Sequence, residues 1–398
     1  MVRKRNWRKG LVRDNSAHAE VAHELHRRSS AAAQPVPMDD APHIASWARM
    51  LDADQSKCSA DILLDTIVEL RAPIGPDVHA GPGYRAATRS GAPLTRPSAR
   101  DVFVEPDGLS VVLHETDVGR VPVIQCRARA DFVRIVRSVL HQNAPVEIPT
   151  SMGACLVAGY VNWRRVRTAL SDDGIWCDLQ APVSATALQR LRTESHRFRD
   201  TYVVLSEGSY SDVPASAMGL DASKWHGLST QLRLEHEAAH YVCRRALGEM
   251  RNALLDELAA DYAAITITTG SFDATWLRRF MGVDQYPRFR AGGRLENYGR
   301  TDLRTPQGFA ALQRMTLDAS ISLEKFDVMR IAAASGNAPR LSVARAVVAI
   351  MQTGLEAVCT SNGHAVLFER WSELQVASAA RHEDLSPQRR PTECVVSN

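Results

Sequence analysis

The chain has 398 residues, 45% of them hydrophobic and 23% charged, with a formal net charge of +3. That balance excludes a wholly disordered polypeptide and leaves no global field that would hold nucleic acid or an anionic membrane. Its seven cysteines (Cys58, Cys126, Cys155, Cys177, Cys243, Cys359, Cys394) are never in CxxC spacing, and no window approaches the roughly 18 uninterrupted apolar residues of a membrane span; a disulfide framework and a membrane partner are excluded, and a reducing, cytoplasmic setting is expected.

Residues 1–43 open with Arg3, Lys4, Arg5, Arg8, Lys9 and Arg13 and continue into an Ala- and Pro-containing stretch, which predicts a loosely ordered basic extension. Short helical patterns follow at Ile44 to Leu51 and Ala60 to Leu70. Gly81 to Arg100, with three Gly and three Pro, reads as a linker, so residues 44–100 are expected to be a helical appendage and its connection. The β-branched runs Leu109 to His114 and Val121 to Gln125, separated by a Gly-containing turn, predict a pair of strands, and Ala130 to Leu140 an amphipathic helix. Helical patterns continue at Cys155 to Leu170 and Ala185 to Thr193. Thr201 to Ser206 predicts a strand, conceivable as an edge that pairs with an extended peptide. From Ser229 to about Val376 nearly everything is helical in pattern, and 377–398 reads as a polar tail. The fold class expected is therefore α+β, predominantly helical, with the main domain over 101–376 and a small strand-containing unit ahead of its helices.

The chemistry concentrates in Leu232 to Ala264, LRLEHEAAHYVCRRALGEMRNALLDELAADYAA. Ser229 is a good N-cap and Gly248 a good C-terminal stop, so a helix is expected between them. His236 and His240, four apart, lie on one helical face and can direct two imidazoles at one ion. Glu237 sits about 100° around the helix from His236, beside such an ion and not in its ligand set, where a carboxylate can deprotonate a water. Two imidazoles leave a catalytic zinc one protein ligand short. A third His at the spacing that some HExxH sequences use is ruled out, because Cys243 and Ala246 stand where the Gly and the His would be.

The second periodic stretch, Arg251 to Thr268, follows a turn at Gly248 to Met250, so the two helices should run antiparallel. His240 and Glu257 are then equidistant from the Gly248–Glu249 junction, as are His236 and Asp261. Each histidine has a carboxylate at its own depth: one to serve as ligand, the other to accept the remaining ring N–H. Asp256 is the alternative ligand, rotated about 100° away.

HEAAH followed by DELAAD resembles the HExxH plus ExxxD signature of gluzincin-type zinc metallopeptidases, and Glu257 to Ala264 is also similar to the second motif of CAAX-type and repressor-cleaving proteases. The resemblance, which covers about 35 residues, implies zinc held by His236, His240 and Glu257, with Asp261 orienting a ligating His and Glu237 as the base, and hydrolysis of a peptide or protein. Two rival readings are a zinc hydrolase of a small amide and a non-catalytic, zinc-stapled regulatory protein. Candidate oxyanion donors downstream are Arg290, Arg294, Tyr298 and His364; Arg288 to Arg300 is expected to border the cleft, and Cys243 to be an inert buried thiol. No nucleic-acid partner is expected, the basic arm at residues 1–13 being the one feature that could supply it.

Overall fold

The computed structural model describes residues 33–53, 58–172, 182–194, 198–248, 254–298, 305–333 and 339–385. The basic arm, Cys177, Cys394, the connection at 249–253 and Arg300 lie outside them.

Four strands form one sheet: β1 (Leu109–His114), β2 (Val121–Cys126), β3 (Ala154–Val161) and β4 (Arg199–Ser206), in the order β1-β2-β4-β3. β2 pairs antiparallel with β1 and parallel with β4, and β4 pairs antiparallel with β3. β1, β2 and the helix at Arg129–Leu140 fall where the sequence places them.

Alternation along the strands splits the side chains between two cores. Tyr202 and Val204 of β4 pack with Ile124, Val157 and helices on one face, while Val203 and Leu205 join Val123 under the long helices on the other. The first face is covered by α1 (Ile44–Ala53), α2 (Ser59–Thr66) and α4 (Arg129–Leu140), with α3 (Pro82–Ser90) beside them. Trp47, Leu63, Leu64, Phe132 and Ile135 are fully buried there, and Trp47 Nε1 donates to Asp200 Oδ2 at 2.9 Å. The described residues of 44–70 thus form a layer on the sheet and not an appendage.

Two further expectations give way. Gly81 to Arg100 is not a continuous linker: Pro82 at the first helical position and Gly91 in the left-handed conformation (φ 66) bound α3, and Tyr84 and Ala87 are buried. Cys155 to Leu170 is not one helix. Its first part is β3, because the apolar run ACLVAGYV finds a neighbour in β4, and α5 (Trp163–Asp172) begins only afterwards. The helix expected at Ala185 to Thr193 is present as α6 (Ala185–Thr193).

The second face carries α7 (Ala222–Leu247), α8 (Leu254–Thr269), α9 (Ala274–Met281), α10 (Pro306–Ala333), α11 (Pro339–Thr353) and α12 (Gly363–Leu385). α12 runs past the expected end at Val376. No helix of the described residues is long and apolar enough to cross a membrane. Residues 33–43, expected to be loose, are tied down instead: Gln34 N–H donates to Ala246 O (2.7 Å), Met38 N–H to Asp117 O (2.9 Å), and Val36 is in the core. Backbone hydrogen bonds of this kind leave no trace in composition.

Candidate metal centre

α7 starts two turns before the expected Ser229. Asp221 caps it, its carboxylate accepting the Lys224 N–H at 2.8 Å, and Gly248 ends it at φ 72. Ser229 is buried within the helix, where its Oγ accepts the Tyr210 N–H (3.0 Å) and so fixes the loop after β4 against the helix. From Glu235 to Cys243 every residue of α7 is buried, since the sheet lies on one side and α8 and α11 on the other.

Asp261 lies beside His236 as expected, while Glu257, expected level with His240, reaches both imidazoles and comes nearer to His236. His236 Nδ1 lies 3.0 Å from Asp261 Oδ1, His236 Nε2 3.3 Å from Glu257 Oε2, and His240 Nε2 3.7 Å from Glu257 Oε1. His236, His240 and Glu257 are all buried and offer ligand atoms within 4.8 Å of one another, a group that could hold a metal ion. The two Nε2 atoms are 3.1 Å apart. Two nitrogens each about 2.05 Å from a tetrahedral ion would be separated by roughly 3.3 Å, so the donor set fits zinc in size as well as in chemistry. Asp256 is buried but does not line this cleft, nor does Cys243, which is buried in the core; Glu257 alone of the two adjacent carboxylates faces the histidines.

Asp261 is fully buried within a network. Tyr210 Oη donates to its Oδ1 (2.6 Å), Arg294 to its Oδ2, and Arg294 also donates to Tyr210 Oη (2.8 Å). The Tyr210 ring is held edge-on to Phe280 of α9 at 4.7 Å. With Asp261 accepting at Nδ1, His236 keeps a proton there, and it is the second proton, on Nε2 beside Glu257, that a metal would displace to gain the ring's lone pair.

Charge follows from burial and neighbours. Burial opposes ionisation of Glu257, yet the His236 hydrogen bond and the two imidazoles hold its carboxyl far below the ordinary range. Burial would lower the His236 pKa, but Asp261 and Glu257 outweigh it and raise the pKa to about 9. Burial pulls His240 down to about 4, leaving a neutral imidazole at pH 7. Burial lifts Glu237 to about 7, with Glu257 adding repulsion, while the Leu156 N–H of β3 donates to it and works the other way.

The cleft has a volume of about 560 Å³, and its walls include Met152 to Leu156, Tyr210, His236, Glu237, Arg294 and Tyr298. Of the candidate oxyanion donors, Tyr298 and Arg294 line it and Arg290 and His364 do not. Arg294 is already committed to Asp261 and Tyr210, and Tyr298 Oη donates to Glu257 Oε2 at 2.9 Å. The described part of Arg288 to Arg300 borders the cleft through Arg294, Asn297 and Tyr298. β4 is not an edge strand, being flanked on both sides; among the described residues the edges are β1 and β3, and β3 is the one on the cleft. Because Gly153 O bonds to β4 through the Ser206 N–H, Ala154 and Leu156 turn their backbone groups to the free edge, beside Glu237.

Sequence reasoning missed Tyr210 and Arg233. Tyr210 sits in no motif. Arg233 was detectable, three residues before His236 on the same helical face.

No curated protein and no solved structure matches the chain. Residues 12–362 match a family of unknown function, DUF7005, and the chain belongs to that family.

Proposed function

We propose that the chain is a zinc-dependent amide hydrolase of the peptidase kind, working in a cytoplasmic setting. The observation that carries this reading is the convergence of His236, His240 and Glu257, with Glu237 beside them, in a cleft bordered by the free edge of β3. Zinc bound by those three side chains would supply a Lewis acid for a carbonyl and acidify a water. The chain's own residues do the rest. Glu237, lifted towards neutral pH by burial, takes the water's proton and passes it to the leaving amine. Tyr298, by turning its O–H from Glu257 to the substrate, would donate to the oxygen that gains charge on the carbonyl. Tyr210, Asp261 and Arg294 hold the His236 ring in one tautomer.

An extended peptide suits the cleft better than a small amide, because the backbone groups of Ala154 and the carbonyl of Leu156 face the outer edge of β3, where a strand could add, the Leu156 N–H being given to Glu237. A base lodged beside the histidines would serve no purpose in a zinc staple. The test is metal analysis of the purified protein together with Glu237→Gln. Stoichiometric zinc in both, with amide hydrolysis in the wild type falling by two orders of magnitude or more in the variant, is expected. Wild-type protein without zinc, or undiminished hydrolysis in Glu237→Gln, refutes the reading.

A further inference from the structure

Three arginines are buried among the described residues: Arg233, Arg294 and Arg330. Arg294 is paired with Asp261 and Arg330 with Asp327. Arg233 has only carbonyls among the described residues. Its Nη1 donates to Ser206 O (2.8 Å) and Gly208 O (2.7 Å), and its Nη2 to Ser209 O (2.7 Å). Carbonyl bonds satisfy N–H groups but do not cancel a charge taken out of water. The acidic group that acts on it, Asp212, is exposed, and Arg129 adds a second positive charge. Burial brings Arg233 down to about 10, so it remains charged at neutral pH.

This charge stands on the cleft wall one turn before His236. Gly153 passes directly over the guanidinium: a Cβ there would fall 2.1 Å from Nε and 2.3 Å from Cζ. Arg129 secures the same rim by donating to Pro149 O at 2.6 Å and to Met152 O. Ser211, also on the wall and 2% exposed, has a buried Oγ with no partner among the described residues. One anionic acceptor could satisfy both the uncompensated cation and the orphaned hydroxyl on this cleft wall.

We propose that Arg233 and Ser211 form a carboxylate-binding subsite, and that the substrate presents an acidic side chain or a terminal carboxylate one turn of α7 away from the metal ligands. The substrate assignment rests on the hydrolase reading, whereas the anion site does not.

The test uses the full chain, stripped of metal by chelation, and two probes that differ only in charge: N-acetyl-dialanine and its carboxamide, titrated calorimetrically. The acid should bind at least about tenfold more tightly than the amide, as expected for hydrogen bonds to a charged group. Arg233→Gln should bring the two within about twofold of each other, and Ser211→Ala should reduce the preference several-fold. Thermal unfolding of each variant checks that it is folded. Equal binding of the two probes by the wild type overturns the proposal, as does a preference that survives Arg233→Gln. If that variant does not fold, Ser211→Ala decides, and an undiminished preference in it overturns the subsite. A charge preference in a protein that hydrolyses nothing when zinc-loaded would sink the hydrolase reading and leave the subsite standing. Hydrolysis without a preference would do the reverse.

Discussion

Replacing Asp261 by Asn keeps the shape of the side chain and removes its charge, which separates two jobs that the residue performs. One is electrostatic: Asp261 is fully buried and neutralises Arg294, itself only 8% exposed. Removing one partner of such a pair leaves an uncompensated buried charge, at a cost of about 3–5 kcal/mol. The other job is positional: Oδ1 accepts from His236 Nδ1 at 3.0 Å, and loss of such an outer partner typically lowers metal affinity about 10–100-fold. Denaturant unfolding of metal-free protein reads the first, and zinc competition against a chelator the second. Adding Arg294→Met removes the stranded charge, so the double variant should recover much of the stability lost by Asp261→Asn. It should recover none of the zinc affinity, because the His236 ring still lacks a charged acceptor at Nδ1. A stability loss below about 1 kcal/mol, or zinc affinity restored along with stability, would show that the two roles are not divided in this way.

Glu237 carries a pH signature. Its pKa rises on folding from the ordinary 4.5 to about 7, so the native state holds a proton that the unfolded chain releases, and metal-free protein loses stability as pH rises through that window. Glu237→Gln should therefore match the wild type near pH 4 and exceed it at pH 8. The gap of about 2.5 pH units at about 1.36 kcal/mol each sets a ceiling near 3 kcal/mol, and equal unfolding free energies at pH 8 would contradict it. Gly293→Ala places a Cβ 2.7 Å from Gly282 Cα and from Met281 O, both unyielding backbone, so the turn carrying Arg294 must move. A loss of about 1–3 kcal/mol is expected in thermal or denaturant unfolding, with weaker zinc binding. Tyr298→Phe removes the 2.9 Å hydrogen bond to Glu257 without opening a cavity; chelator competition should show weaker zinc binding by up to about tenfold, with stability changed by about 1 kcal/mol.

The residues of the candidate centre were legible in the sequence because every relation among them is short-range or reflected about one turn. His236 and His240 share a face by helical period alone, and a short connection forces α7 and α8 antiparallel, so counting from Gly248 places Asp261 level with His236 and Glu257 level with His240; the structure then sets Glu257 between the two imidazoles. What surrounds that set was decided by tertiary structure. Tyr210 reaches Asp261 across 51 positions and Arg294 across 33, separations at which residue spacing carries no information. ACLVAGYV is too short and too uniformly apolar to tell a strand from a helix, and only β4, arriving later in the chain, makes it the sheet edge that faces Glu237. The strap at residues 33–40 is held by main-chain hydrogen bonds to α7 and the β1–β2 turn, which any side-chain sequence could have made. Periodicity records which way a side chain points on its own element; which element it then meets depends on how the whole chain packs.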